Sequence, residues 1–216
     1  MKPTIYALNW APDFAKGQVR DLRVRWALEE AGIDYQANCM SFSEKAQHDY
    51  LARQPFGQVP AYEDEEVQLF ESGAIVLHIA EKSDALMPTD PAGKARARMW
   101  LIAALSSIEP FIFPYQDIIL FNAGEDWAEA RKPEAEKRLV DRLGQLAAWL
   151  DGKDYLEDCF TAGDLYMMAC LRSLDTTDHI SGHSILGPYV ARGEARPAFK
   201  RALAAQMADF TGSPPG

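Results

Sequence analysis

The sequence predicts an α+β layer followed by an all-helical bundle. Three observations carry that expectation. Short β-branched and aromatic runs alternate with helical stretches over residues 1–83. A stretch broken by Pro88 and Pro91 follows at 84–91 and reads as a linker. No strand signal survives over residues 92–216.

The elements follow in order. Thr4-Ile5-Tyr6-Ala7-Leu8 is a short apolar run and reads as a strand. Residues 9–17 hold Pro12 and Gly17 and no period, so they form a loop. Asp21 to Ala31 carries a helical apolar stripe through Leu22, Trp26 and Leu28, and Gly32 supplies the stop. Tyr35 to Met40 reads as a second strand, which suggests a parallel βαβ crossover. Ser43 to Arg53 is a polar helix ended by Pro55 and Gly57. Pro60-Ala61-Tyr62 and Val67-Gln68-Leu69-Phe70 form a hairpin around Asp64-Glu65-Glu66, and Ser72 opens a helix to about Lys82. The order β-α-β-α-β-β-α makes one mixed sheet. Beyond the linker, Lys94 to Asn122 reads as one long helix bent near Pro110 and Pro114. In Glu134 to Leu150, Leu139, Leu143, Leu146 and Leu150 share a face. Helices over Thr161 to Leu171 and Pro197 to Phe210 complete a bundle.

Composition narrows the function. With 216 residues, 48% of them apolar, the chain can bury a large core without staples. A net charge of −10 argues against a nucleic-acid binder, which needs a cationic face to displace counterions. Cys39, Cys159 and Cys170 make an odd number and show no CxxC spacing, so they read as small apolar residues in a reducing compartment. His48, His78, His179 and His183 lack metal-ligand spacing, and no metal is expected; His78 reads as a core or boundary residue. No apolar run approaches the ~20 residues of a membrane span, and the first residues lack a signal-peptide cleavage pattern. A soluble cytoplasmic protein is the expectation.

Two short segments carry chemistry. Pro60 heads a strand, where it cannot donate to the ladder. A cis Val59–Pro60 bond would turn the backbone N–H and C=O of Val59 toward a cleft, where they could pair with a short peptide. Glu71-Ser72 stands where a strand gives way to a helix. The Ser72 hydroxyl and the first free N–H groups of that helix would take a carboxylate, and Glu71 an ammonium. Alternatively, Ser72 only caps the helix.

Pro55-Phe56-Gly57-Gln58-Val59-Pro60, then Phe70-Glu71-Ser72-Gly73-Ala74-Ile75, resembles the glutathione-site signature of the cytosolic glutathione transferases. Arg23 to Gly32 is similar to the family's first helix, and Phe160-Thr161-Ala162-Gly163-Asp164-Leu165 to the capping box and staple of its buried helix. The resemblance spans nearly the whole chain. It implies a thioredoxin-like N-terminal domain at 1–83, an all-helical domain at 92–216, and a homodimer that binds glutathione and detoxifies a small hydrophobic electrophile or peroxide. Val59 and Pro60 would then face the cysteinyl backbone, Glu71 and Ser72 the γ-glutamyl group, and Gln58 an amide. Lys45 would meet the glycyl carboxylate, unless it is a solvated surface lysine. Thr161 and Asp164 would be structural.

The loop after the first strand departs from the family pattern. Family members stabilise the glutathione thiolate with Tyr or Ser, or form a mixed disulfide through Cys, in that loop. Residues 9–20 contain none of these, nor Thr. Counting back from Arg25-Trp26, Phe14 stands at the tyrosine position of one class and Arg20 at its thiolate-stabilising arginine. Arg20, the adjoining helix N-terminus and a donor from Asn9 or Trp10 are the candidate catalytic groups. Alternatively, Arg20 pairs with Asp13 or Asp21. Phe14, Trp100, Phe111, Phe113 and Tyr115 either line the electrophile pocket or are plain core. The missing hydroxyl keeps a second reading open, a glutathione-binding or partner-binding protein of this fold with little transferase activity.

Overall fold

A computed structural model describes residues 2–214. Its contacts divide the chain into two units: one holds the residues up to Thr89 together with those from Glu194 onward, and the other is Asp90–Gly193.

In the first unit the strands are β1 (Thr4–Leu8), β2 (Gln36–Met40), β3 (Ala61–Glu63) and β4 (Gln68–Phe70). They form one mixed sheet in the order β2-β1-β3-β4, with β1 parallel to β2 and antiparallel to β3. The helices are α1 (Asp21–Ala31), a four-residue α2 (His48–Leu51) and α3 (Ser72–Ala80). Ile5 and Ala7 point to one face of the sheet and are fully buried, as are Val24, Leu28, Ile75 and Ile79 of α1 and α3. Tyr6 points the other way and packs against Met40, Tyr50 and Ala61. Gly32 ends α1 at φ +66°, where an L side chain would be strained. The Ile33 amide then donates to the Leu28 carbonyl at 2.9 Å.

The polar helix expected over Ser43 to Arg53 is shorter than its pattern suggested. Glu44–Ala46 is a single 3₁₀ turn, and Gln47 is extended before α2 begins. The Glu44 carboxylate accepts from both the amide and hydroxyl of Ser41, which ties it to the preceding loop.

The hairpin turn between β3 and β4 is held by Asp64. One carboxylate oxygen accepts from the amides of Glu66 and Val67 at 2.8 and 2.9 Å. The other meets the Tyr62 hydroxyl at 3.0 Å, His78 Nε2 at 2.8 Å and Lys82 Nζ at 3.1 Å.

The second unit contains α4 (Pro91–Ala103), α5 (Glu109–Gln116), α6 (Asp126–Leu150), α7 (Ala162–Arg172), α8 (Asp178–Ser181) and α9 (Leu186–Glu194), the last ending at the unit boundary. The bend expected near Pro110 and Pro114 takes the form of two wide π turns, Ala104–Ile108 and Asp117–Phe121, one on each side of α5. A proline lacks the amide a regular turn needs, and a widened turn shifts the hydrogen-bond register around it. α6 starts eight residues before the expected Glu134 and runs through Pro133. The carbonyl that Pro133 leaves without a partner belongs to exposed Glu129, which water can reach. Leu139, Leu143, Leu146 and Leu150 are all buried. α8 and α9 have no counterpart in the sequence reading.

Inside this unit α7 is buried along nearly its whole length. Asp164 is fully buried and takes the amides of Leu156 at 2.8 Å and Thr161 at 3.0 Å and the hydroxyl of Tyr189 at 3.0 Å. The Gly163 amide donates to Thr161 Oγ1 at 3.2 Å. A Cβ on Gly163 would stand 2.6 Å from Cβ of Trp100, so α4 and α7 meet this closely only over a glycine.

The last helix, α10 (Pro197–Asp209), belongs to the first unit by its contacts, whereas the sequence boundaries group it with the helical domain. Its partner is α1. Phe199 meets Trp26 edge-on at 4.9 Å, and Arg196 and Arg201 reach Glu30 and Glu29 at 2.5 and 2.6 Å.

Two stability predictions follow from this packing. Asp164→Ala leaves several buried donors unpaired and is expected to cost about 3 kcal/mol, against about 1 kcal/mol for the cap loss in Thr161→Ala; urea unfolding of the two variants checks the order. Burial raises the Asp64 carboxyl, but hydrogen bonds from His78, the Glu66 and Val67 amides and Lys82 outweigh it and hold the group well below the usual carboxylate range. A depressed folded value adds stability above the unfolded value of about 3.9 and loses it as the pH falls below that. In Asp64→Asn, proton uptake on unfolding below about pH 4 should drop by about one proton, measured as the pH slope of unfolding free energy.

Candidate functional site

The candidate ligand-binding residues of the first unit lie on the segments that join its elements. β1 ends at Leu8, and the Asn9 amide continues the parallel ladder by donating to the Met40 carbonyl at 2.8 Å. Trp10 follows, its ring edge-on to Phe42 at 5.8 Å. The ammonium of Lys45 stands 4.6 Å over the same Phe42 ring. Phe42 therefore links Trp10 to Lys45, an aromatic the sequence reading passed over between two serines. Phe14 lies on a 3₁₀ turn, Asp13–Ala15, and is 45% exposed.

Arg20 is the residue from which α1 springs, so its side chain leaves the chain where the helix presents its unpaired N–H groups. Asp13 accepts from Lys16 at 2.7 Å, and Asp21 accepts from Arg25 and Gln206, both at 2.8 Å.

The Val59–Pro60 peptide bond is cis. Gln54, only 2% exposed, organises the turn before it: its Oε1 accepts from the amides of Phe56 at 2.7 Å and Gln58 at 3.2 Å. The buried Tyr50 hydroxyl donates to the Gln58 carbonyl at 2.5 Å. The backbone of Gln58 is thus engaged inward while its side chain is exposed. Gln54 stood in the quoted segment without a role; a buried amide four residues before the exposed Gln58 is visible only once the turn is closed.

Glu71 has φ +69° and ψ 111°, a left-handed region that non-glycine residues rarely occupy. It is exposed, and the buried Ser72 begins α3 directly after it. The strained corner thus sets a carboxylate beside the N-terminus of a nine-residue helix.

The aromatic candidates of the second unit do not share one cavity. The Trp100 indole donates to Glu157 at 2.8 Å and its ring lies 5.2 Å from Trp149. Tyr115 is 5% exposed, and its hydroxyl lies 3.4 Å from Glu136 and 3.3 Å from His179. Trp100 is half-buried and Tyr115 is buried. Phe111 lines a cavity of about 280 Å³ with Pro110, Pro114, Arg131, Glu134 and Arg138. Phe113 is 45% exposed.

The sequence put the histidines outside any metal-ligand arrangement. In space, donor atoms of Asp64, Glu66 and His78 come within 4.8 Å of one another. Lys82 Nζ already stands among them, 2.8 Å from Glu66 and 3.1 Å from Asp64, so a fixed cation fills the cluster. Two of the chain's own thiols, Cys39 and Cys159, lean toward the protonated form. Burial, then the carboxylate of Asp209, pushes Cys39 up to about 11, partial burial raises the Cys159 thiol although that residue is exposed and not the enclosed apolar one expected, and Cys170 is buried. No helix among the described residues is long and apolar enough to cross a membrane.

Comparison with known proteins gives the family. Residues 15–81 match the family model of the glutathione S-transferase N-terminal domain, a stretch that begins after Asn9 and Trp10. Glutathione S-transferase F10 of Arabidopsis thaliana is 30% identical over 182 residues, covering 80% of each chain. A probable glutathione S-transferase of Oryza sativa subsp. japonica is 32% identical over the same length and coverage. Among solved structures, a glutathione transferase of Burkholderia graminis with two glutathione molecules bound per subunit superposes with a TM-score of 0.82 over 94% of this chain and 88% of its own, at 22% identity, which speaks for the fold. The extent of identity with the plant enzymes decides the matter: this chain belongs to the glutathione S-transferase family.

Proposed function

We propose that the chain is a glutathione transferase that binds glutathione along the Val59–Pro60 edge and the Glu71–Ser72 corner, and uses its thiolate against a small hydrophobic electrophile. The observation that carries the reading is the corner. An exposed carboxylate and a helix N-terminus side by side match the ammonium and carboxylate of a γ-glutamyl group. Val59 supplies the backbone partner for the cysteinyl residue, Gln58 its exposed amide, and Lys45 the cation for the glycyl carboxylate.

Chemistry requires the thiolate, since a thiol of pKa ~8.5 is only a few per cent ionised at neutral pH. In this chain Arg20 and the head of α1 supply positive potential, and Asn9 or the Trp10 indole supplies a hydrogen bond. The proton passes to solvent. The thiolate sulfur attacks the electrophilic carbon, a C–S bond forms, and the leaving group departs with its electron pair. Phe14 offers an exposed aromatic face to the electrophile.

Exposure of Phe56 supports a homodimer. Its ring is 68% exposed and lies 6.0 Å from the Phe70 ring, an aromatic pair that a second copy would cover. A cytoplasmic location and a role in detoxification belong to the same reading.

Ser72→Ala and Glu71→Ala are each expected to weaken glutathione about 10- to 100-fold in calorimetry, as loss of a charge-assisted contact would. Arg20→Ala should keep binding and lower kcat about 100-fold with a chlorodinitrobenzene-type acceptor, with the bound thiol titrating at higher pH. Tight binding without turnover of either that acceptor or a peroxide in the native chain would favour the binding-only reading. Phe56→Glu should shift the native species from dimer to monomer in sedimentation.

A further inference from the structure

The loop that carries Asn9, Trp10 and Arg20 is gripped from outside by the end of the chain. Gly212 donates its amide to the Asn9 carbonyl at 2.8 Å. With the Met40 carbonyl taking the Asn9 amide, this residue is tied on both sides of its backbone. The approach is close enough that a Cβ on Gly212 would stand 2.5 Å from Asn9 Oδ1 and 3.1 Å from the Asn9 carbonyl oxygen. Only a glycine lets the tail pass here while Asn9 keeps its side-chain pose. At the loop's other end, a Cβ on Gly17 would lie 3.1 Å from Cδ1 of Leu203, and Gly17 is held at φ +76°. Two residues on, the Val19 carbonyl accepts from Gln206 Nε2 at 3.0 Å, and the same nitrogen reaches Asp21 Oδ1 at 2.8 Å. Asp209 closes the set by pairing with Arg25 at 2.7 Å. Leu203, Gln206 and Gly212 therefore touch the loop at Gly17, Val19 and Asn9, bracketing the residues between.

The geometry points to the C-terminal segment Leu203–Gly212 as the positioning clamp of the thiolate loop, with Gly212 as the positioning residue that sets the Asn9 side chain. This rests on the reading that Asn9 and its loop act on the glutathione sulfur. The clamp touches no substrate. It acts by denying the loop other conformations, and small displacements of a stabilising donor cost rate steeply.

Three chains test it beside the native one: one ending at Phe210, one ending at Pro214, and Gly212→Ala. Asn9→Ala is made alone and combined with Gly212→Ala. The chain ending at Pro214 keeps the contact and should match the native enzyme. The chain ending at Phe210 and Gly212→Ala should lose roughly 10- to 100-fold in kcat, keep KM for glutathione within about twofold, and titrate the bound thiol at higher pH. Adding Gly212→Ala to Asn9→Ala should produce no further loss, because both act through one side chain. Amide hydrogen exchange of residues 9–20 should quicken in the chain ending at Phe210, with the exchange of α10 unchanged as proof of folding. Native kcat and native loop exchange in that chain and in Gly212→Ala, beside an impaired Asn9→Ala, overturn the clamp and leave the catalytic reading standing. Native turnover in Asn9→Ala and in both tail variants overturns the catalytic role of Asn9 and, with it, the clamp's effect on rate.

Discussion

The buried guanidinium of Arg25 is the constraint around which the first unit is arranged. It is 1% exposed, and its Nε lies 2.8 Å from Asp21 while a terminal nitrogen lies 2.7 Å from Asp209. A cation taken out of water is tolerable only with its partners in place, and removing any one leaves an uncompensated charge. The interaction therefore fixes two distant pieces of chain at once. Asp21 is the first residue of α1 and Asp209 the last of α10. The head of α1, where Arg20 stands, is located by the far end of the sequence.

The edge that carries Gln58 and Asn9 obeys a second rule of the same kind. Its side chains are held in place by neighbours packed against them. Gln54 and Tyr50 take up the inward hydrogen bonds of the turn ending at Val59. Met40 holds the amide of Asn9, and Phe42 carries both Trp10 and Lys45. Polar networks of this sort are worth more complete than in parts, so change at Gln54 would be felt at Gln58 and beyond.

How much of this could be read from the residues depends on the range of the interaction concerned. The α1 stripe and its Gly32 stop, the strand Thr4–Leu8 and the leucine face of α6 are local patterns, and they stand where periodicity put them. α8 and α9 were missed because one is a single turn and the other opens straight from a short glycine-containing loop. For α10 the sequence identified a helix over Pro197 to Phe210 but not the surface that helix would cover. Periodicity names a side, never a partner, and the partner was α1, about 170 residues away in sequence. The same limit hid the meeting of His78 with Asp64 and of Gly212 with Asn9. The Glu71–Ser72 corner was legible because strand end, acid, cap and helix are consecutive; the left-handed backbone of Glu71 was not, since nothing in its residue type requests it.

The placement of the three cysteines has a consequence for the chain's own reactivity. With Cys39 raised to about 11, roughly one molecule in 10,000 carries that sulfur as an anion at neutral pH. Cys159 is raised in the same direction, and Cys170 is enclosed by the bundle. A thiol-directed reagent therefore finds Cys39 slow to react and Cys170 out of reach, and meets first the exposed Cys159. Modification of the chain's own thiols is thereby steered to a single surface position.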